Sequence, residues 1–196
     1  MRDRLTALVR RHGAQFVAGD VDRDATLHLS DLAKPRKAYW QRILPIPPDD
    51  AECLYFLAGR GHEDAFGRIP GLTRAEQKEF EIVAADRAAA IVVSYRPDFD
   101  LFGIPGEMKT RRANLAEPGN ELVVYENYLI QLRGYCAVEN KTHGVLIVFS
   151  LLEGRSGDPK NPTHPEVAMY DVEFAPNELE AERTILGETA RLLTDA

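Results

Sequence analysis

Cysteine is scarce, with only Cys53 and Cys136 in 196 residues. They are far apart and match no paired-ligand spacing, which excludes a disulfide scaffold, a zinc ribbon and a four-cysteine iron–sulfur cluster. Long apolar runs are missing too. Nothing approaches the roughly 18 consecutive apolar residues of a membrane span, and the stretch from Met1 to Gly13 lacks the apolar core of a secretory signal. The expectation is a reduced, cytoplasmic protein with no membrane partner. Internal repeats and low-complexity tracts are absent, so one domain is expected over 1–196, with 1–48 an N-terminal helical segment. Basic charge is in deficit, with 24 Lys and Arg against 31 Asp and Glu and a net charge of −7. A nucleic-acid binder usually shows the opposite balance. The deficit is local, however: residues 171–196 hold seven acids against Arg183 and Arg191, and the chain before them is close to neutral. Gly-x-Ser-x-Gly, His-Glu-x-x-His and dinucleotide fingerprints do not occur. The stretch Gly103 to Thr110 brushes against a phosphate-binding loop, but Met108 stands where glycine is needed and Pro105 removes an amide, so a P-loop NTPase is excluded.

What is present reads first as helix. Residues 2–16 suit a short basic amphipathic helix, and Ser30 suits the N-cap of a short helix holding Leu32, Tyr39 and Trp40. Prolines at 45, 47 and 48 close that unit. Asp49 or Asp50 then caps a helix over roughly 51–67, with Leu54, Leu57 or Ala58, Gly61 and Ala65 at helical spacing. The charged, alanine-bearing stretch 73–90 reads at least in part as helix. The texture then turns to β. Ile91–Tyr95 is a β-branched run continued by Arg96–Phe102, Gly103–Gly106 is turn chemistry, and Glu107–Thr110 resumes an extended segment, so a hairpin is expected. A helix over about 121–139, a buried strand at 144–152, a strand at 167–174 and a closing helix over 176–193 complete the chain. The fold class is α/β or α+β, a mixed central β-sheet flanked by helices.

The hairpin carries the chemistry. Strand side chains alternate faces, so Glu107 and Lys109 project together while Met108 points into the core. Asp98 comes opposite them across the turn, with Asp100 on the same strand face as a rival. Two converging carboxylates repel unless a cation lies between them, and hard oxygen ligands select Mg²⁺ or Mn²⁺. Lys109 beside them can orient a water or offset charge on a pentacovalent phosphorus. Taken alone, a Glu-x-Lys triplet is what a solvated surface hairpin also carries. Upstream, Lys34, Arg36, Lys37 and Arg42 form a basic run without an intervening acid, interleaved with Tyr39 and Trp40. Cations for phosphates and rings for stacking suit single-stranded nucleic acid, though a solvated helix face with a core tryptophan has the same pattern. Arg111 and Arg112 could extend the track.

Pro97-Asp98 followed by Glu107-Met108-Lys109 resembles the PD-(D/E)XK nuclease superfamily. Three further stretches are similar to its RecB-like and Cas4-like exonuclease branch. Gly61-His62-Glu63 matches an upstream metal-binding histidine, Gln131 to Tyr135 a QxxxY motif on the following helix, and residues 29–40 the N-terminal segment. The resemblance covers residues 28–193 and implies a restriction-endonuclease-like core. It implies that His62, Asp98, Glu107 and the Met108 backbone carbonyl hold Mg²⁺ or Mn²⁺, that Lys109 aids the nucleophile, and that Gln131 and Tyr135 position substrate. Lys34, Arg36, Lys37, Tyr39, Trp40, Arg111 and Arg112 would contact DNA. Two departures matter. Lys34 stands where the Cas4-like proteins place a cysteine, and no cysteine follows Cys136, so no iron–sulfur cluster is implied. The Asp98–Glu107 separation is short for the family and demands a tight turn. The expectation is a divalent-metal-dependent DNA nuclease, an exonuclease on single-stranded or frayed ends. Open beside it stand a structure- or sequence-specific endonuclease, including one serving phage recombination or CRISPR adaptation, and a non-catalytic nucleic-acid-binding module. The resemblance also leaves room for a homo-oligomer or a place in a larger recombination or repair assembly.

Overall fold

The computed structural model describes residues 27–35, 38, 61, 65, 68, 74–83, 90–111, 115–150 and 166–195. The helix expected over 2–16 lies outside them, as does all but Gly61 and Ala65 of the helix over 51–67. The chain divides into two compact units, one of Met1–Arg68, Lys78–Tyr95 and Ile185–Ala196, the other of Ile69–Gln77 and Arg96–Thr184. Each has its own mixed sheet, where the sequence suggested one central sheet. One passage between the units falls after Tyr95, where the β-branched run stops and the buried Pro97 offers no N–H to a ladder.

In the first unit, β3 (Ile91–Tyr95) lies centrally, parallel to β1 (Leu27–His28) and antiparallel to β2 (Lys78–Ile82). β2 falls in the stretch read in part as helix. Its sequence alternates exposed Glu79 and Glu81 with half-buried Phe80 and Ile82, a two-residue period, and Phe80 packs edge-on to Tyr95 at 5.8 Å. Alternation over five residues therefore outweighs the alanines around it. Helix α1 (Leu29–Ala33) follows β1 directly. Its N-cap is His28, not Ser30: Asp31 reaches back to accept the His28 N–H at 3.1 Å, and Leu29 and Leu32 are buried.

In the second unit the order is β4-β5-β6-β7, comprising Phe99–Leu101, Ile104–Arg111, His143–Ser150 and Glu166–Glu173. β5 and β6 are parallel and the outer pairs antiparallel. The β5–β6 crossover holds α2 (Glu121–Val124) and α3 (Glu126–Glu139), where a single helix was expected. Tyr125 separates them. Its ring is 1 % exposed and its hydroxyl accepts the Ala116 N–H at 2.7 Å, so a tertiary anchor holds that residue out of helical geometry. α3 covers one face of the sheet, because a Cβ on Gly144 would lie only 2.8–2.9 Å from Leu132 and Cys136. Register and alternation place Leu146, Val148, Glu107, Lys109 and Tyr170 on that same face. Val145, Ile147, Phe149 and Met108 occupy the other and are buried.

The closing helix α4 (Pro176–Thr194) buries Leu179, Leu186, Ala190 and Leu193 as one stripe at helical spacing. Glu182 also falls in it, 3 % exposed, and accepts a 2.7 Å hydrogen bond from Arg133 Nε on α3. Arg183 donates to the Ala137 carbonyl and the Asn140 side chain, both at 2.8 Å, satisfying groups at the left-handed C-cap of α3. Among the described residues no helix is long and apolar enough to cross a membrane.

Candidate functional site

The hairpin turns sooner than its prolines and glycines suggested. Leu101 pairs with Ile104, leaving Phe102 and Gly103 as a two-residue loop with φ of 54° and 85°. Two positive φ values fit the primed turn that matches the twist of its strands, and Gly103 adopts its φ without strain. Ile104 to Gly106 already belong to β5. Asp100 Oδ1 accepts the Gly103 N–H at 2.6 Å, so this carboxylate closes the turn.

Asp98 behaves differently. Its N–H donates to Gly106 O at 3.0 Å, although Gly106 is the register partner of Phe99. Two residues thus face one, as in a β-bulge, which kinks the strand and re-aims the extra side chain. Gly106 suits the close approach: a Cβ there would enter the Phe99 ring. The Asp98 carboxylate turns along β5 and accepts the Met108 N–H through Oδ2 at 2.7 Å. Along a strand, the N–H and C=O of one residue face the same edge and alternate edges with the next residue. The Met108 carbonyl therefore lies on the strand edge that Asp98 occupies, and Glu107 and Lys109 turn their backbone groups to β6.

On the α3 face, Glu107 is 0 % exposed, and its Oε1 meets Lys109 Nζ directly. Its Oε2 is shielded from solvent and accepts no hydrogen bond from the described residues. From α3, Gln131 Nε2 donates to the Tyr135 hydroxyl at 2.7 Å, an i, i+4 contact on one helix face. Burial first, and then the Glu107 and Asp98 carboxylates, push the Tyr135 hydroxyl well above its ordinary range, against the pull of Gln131 and Arg96. Tyr135 thus remains a protonated phenol beside two acids. Arg96 belongs to this electrostatic neighbourhood and was missed in the sequence, where it read as strand continuation; its position two residues before Asp98 was the available signal.

The structure therefore brings Asp98, Glu107, Lys109, Gln131 and Tyr135 together, with the Met108 carbonyl at the same edge. Arg111 lies farther along β5. Lys34 is exposed just after α1 in the first unit. His62, Arg36, Lys37, Tyr39, Trp40 and Arg112 lie outside the described residues. Two carboxylates and a backbone carbonyl form an oxygen donor set whose chemistry fits Mg²⁺ or Mn²⁺. Among the described residues, however, no group of three or more His, Cys, Asp or Glu side chains is placed to hold a metal ion.

No protein-family model matches this sequence. No curated protein matches it. The chain is similar to the crystal structure of SSO0001, with a TM-score of 0.67 over 97 % of this chain and 87 % of that one, at 17 % identity. At that identity the likeness concerns the fold: a mixed α/β chain with two sheets flanked by helices.

Proposed function

We propose that this protein is a divalent-metal-dependent nuclease that hydrolyses phosphodiester bonds in DNA, acting as an exonuclease on single strands or frayed ends. The observation that carries the reading is the meeting of Asp98, Glu107 and Lys109 at one place on β5, beneath Tyr135 and Gln131 of α3. Asp98, Glu107 and the Met108 carbonyl would hold Mg²⁺ or Mn²⁺. Bound there, the cation supplies Lewis-acid polarisation of the phosphoryl group and a water activated for attack. The chain's own groups do the rest. Lys109 places an ammonium where negative charge grows on phosphorus, in a setting that buries Glu107 completely and so strengthens electrostatic effects. Tyr135, held protonated, can donate its hydroxyl hydrogen to a phosphate oxygen while accepting from Gln131. The β-bulge at Asp98 fixes one acid against the amide of Met108 and limits the reorganisation needed when substrate arrives.

The test uses purified protein and DNA labelled at either end, with Mg²⁺, Mn²⁺ or EDTA. The reading expects metal-dependent shortening that Glu107→Ala and Lys109→Ala abolish. A circular single strand should survive intact if ends are required. Equal digestion by wild type and Glu107→Ala overturns the assignment, and so does DNA binding without any product in either metal.

A further inference from the structure

Three tyrosines and an arginine cluster on the α3 face of the second sheet, with Arg111 at the end of β5 and Tyr170 on β7 in register with Leu146 and Glu107. The Arg111 guanidinium sits over the Tyr125 ring at 5.5 Å. Tyr125 is nearly parallel to Tyr128, with centroids 5.8 Å apart and planes inclined at 15°, and it meets Tyr170 of β7 at 5.4 Å. Tyr125 itself is buried and anchored through its hydroxyl to Ala116, with the Tyr170 hydroxyl 3.5 Å away. It serves as the platform. Arg111, Tyr128 and Tyr170 are only half-buried. Glu121 stands close enough to Tyr170 to act on its hydroxyl.

Three physical facts make this place suited to a ligand. Its Arg111 stands at the carboxyl end of the parallel β5–β6 pair, where the crossover to α2 and α3 leaves and where open α/β sheets take up ligands. Arg111 and Lys109 project from the same face of one strand, two residues or about 6.6 Å apart, a step on the order of one nucleotide of an extended strand. A guanidinium over an aromatic ring can keep N–H donors for a planar or tetrahedral anion. Core packing alone would favour an apolar neighbour for Tyr125 over a half-exposed cation.

Resting on the nuclease reading above, we infer that the carboxyl end of β5 is a single-stranded DNA subsite. Arg111 takes a backbone phosphate next to the one at Lys109, and Tyr128 and Tyr170 offer their exposed faces to an adjoining base. This subsite holds the strand in register for cleavage and reads no sequence, because every base has a stacking face.

Binding without cleavage tests it. Full-length protein in EDTA is titrated with a labelled oligothymidylate and with an abasic strand of the same length, followed by fluorescence anisotropy at several salt concentrations. Wild type should prefer the oligothymidylate. Tyr128→Ala and Tyr170→Ala should lower its affinity about 5- to 100-fold and leave the abasic strand nearly unaffected, while Tyr128→Phe and Tyr170→Phe keep the preference. Arg111→Ala should weaken both strands alike and reduce the salt slope by about 0.7. Equal wild-type affinity for the two strands, or a preference untouched by the alanine variants, overturns the subsite. So does an unchanged salt slope in Arg111→Ala. Loss of cleavage in Mg²⁺ and Mn²⁺ with this binding pattern intact would sink the nuclease reading and leave the subsite standing; the reverse would sink the subsite alone.

Discussion

Breaking the Arg133–Glu182 pair should have unequal consequences depending on which partner is removed. The pair joins α3, which carries Gln131 and Tyr135, to α4 at an Nε–Oε2 distance of 2.7 Å, with side-chain exposures of 29 % and 4 %. Arg133→Ala leaves a largely buried carboxylate without its partner, a loss of about 3–5 kcal/mol. Glu182→Gln leaves a guanidinium that can still turn to solvent and an amide oxygen that can still accept, so it should cost about 1 kcal/mol. At about 2–4 °C per kcal/mol for a chain of this size, the melting temperatures should fall by about 6–20 °C and about 2–4 °C. Thermal unfolding followed by far-ultraviolet circular dichroism at neutral pH measures both. Adding Glu182→Leu to Arg133→Ala should recover most of the loss, since the stranded charge is gone. Equal losses in the two single variants, or a larger one in Glu182→Gln, would refute the reasoning.

Gly106→Ala pushes a methyl group into the Phe99 ring. It should cost about 1–3 kcal/mol, measured by urea unfolding, and Phe99→Leu in the same chain should return part of it; no loss would contradict the packing. Asp98→Asn should abolish metal-dependent cleavage of labelled DNA while Asp100→Asn, whose carboxylate closes the turn, keeps it; equal effects would refute the division of roles. Alkaline stability should decline. Burial pushes the Cys136 thiol up to about 12, with Glu139 adding to it, and the Tyr170 hydroxyl also stands at about 12. The unfolded chain therefore releases these protons first, so stability is complete below about pH 8.5 and falls as pH rises toward the folded values. Cys136→Ala should flatten that fall between about pH 9 and 11 in urea unfolding; a slope no shallower than the wild type's refutes it.

The grouping of Glu107 with Lys109 and of Gln131 with Tyr135 was legible because it is local. Asp98, Glu107 and Lys109 fall within twelve residues of one hairpin, and Gln131 and Tyr135 within one helical turn. Alternation therefore sets Glu107 beside Lys109, and i, i+4 spacing puts Gln131 and Tyr135 on one helix face. The bulge that turns Asp98 along β5 has no mark in the sequence. The position of the turn was not legible, because Pro105 and Gly106 resemble loop residues and only their pairing with Asp100 and Phe99 makes them strand. The same limit explains the division of the long helix. Tyr125 is an acceptable helical residue until a buried platform against Tyr128, Tyr170 and Arg111 claims it. The strand at Lys78–Ile82 was not picked out because its short alternating run was judged together with the alanines beyond it. Arg133–Glu182 joins residues 49 apart in sequence, and nothing in either neighbourhood marks one acid of an acidic helix as buried.

The proposal that Asp98, Glu107 and Lys109 together cut DNA is open to a single experiment. A time course on 5′- and 3′-end-labelled single and double strands with Mg²⁺, Mn²⁺ and EDTA, run on wild type and Glu107→Ala, addresses it most directly. Progressive metal-dependent shortening from an end is expected of the wild type, with none in EDTA and none by Glu107→Ala in either metal. Digestion by Glu107→Ala at the wild-type rate, or intact DNA under every condition, would contradict it.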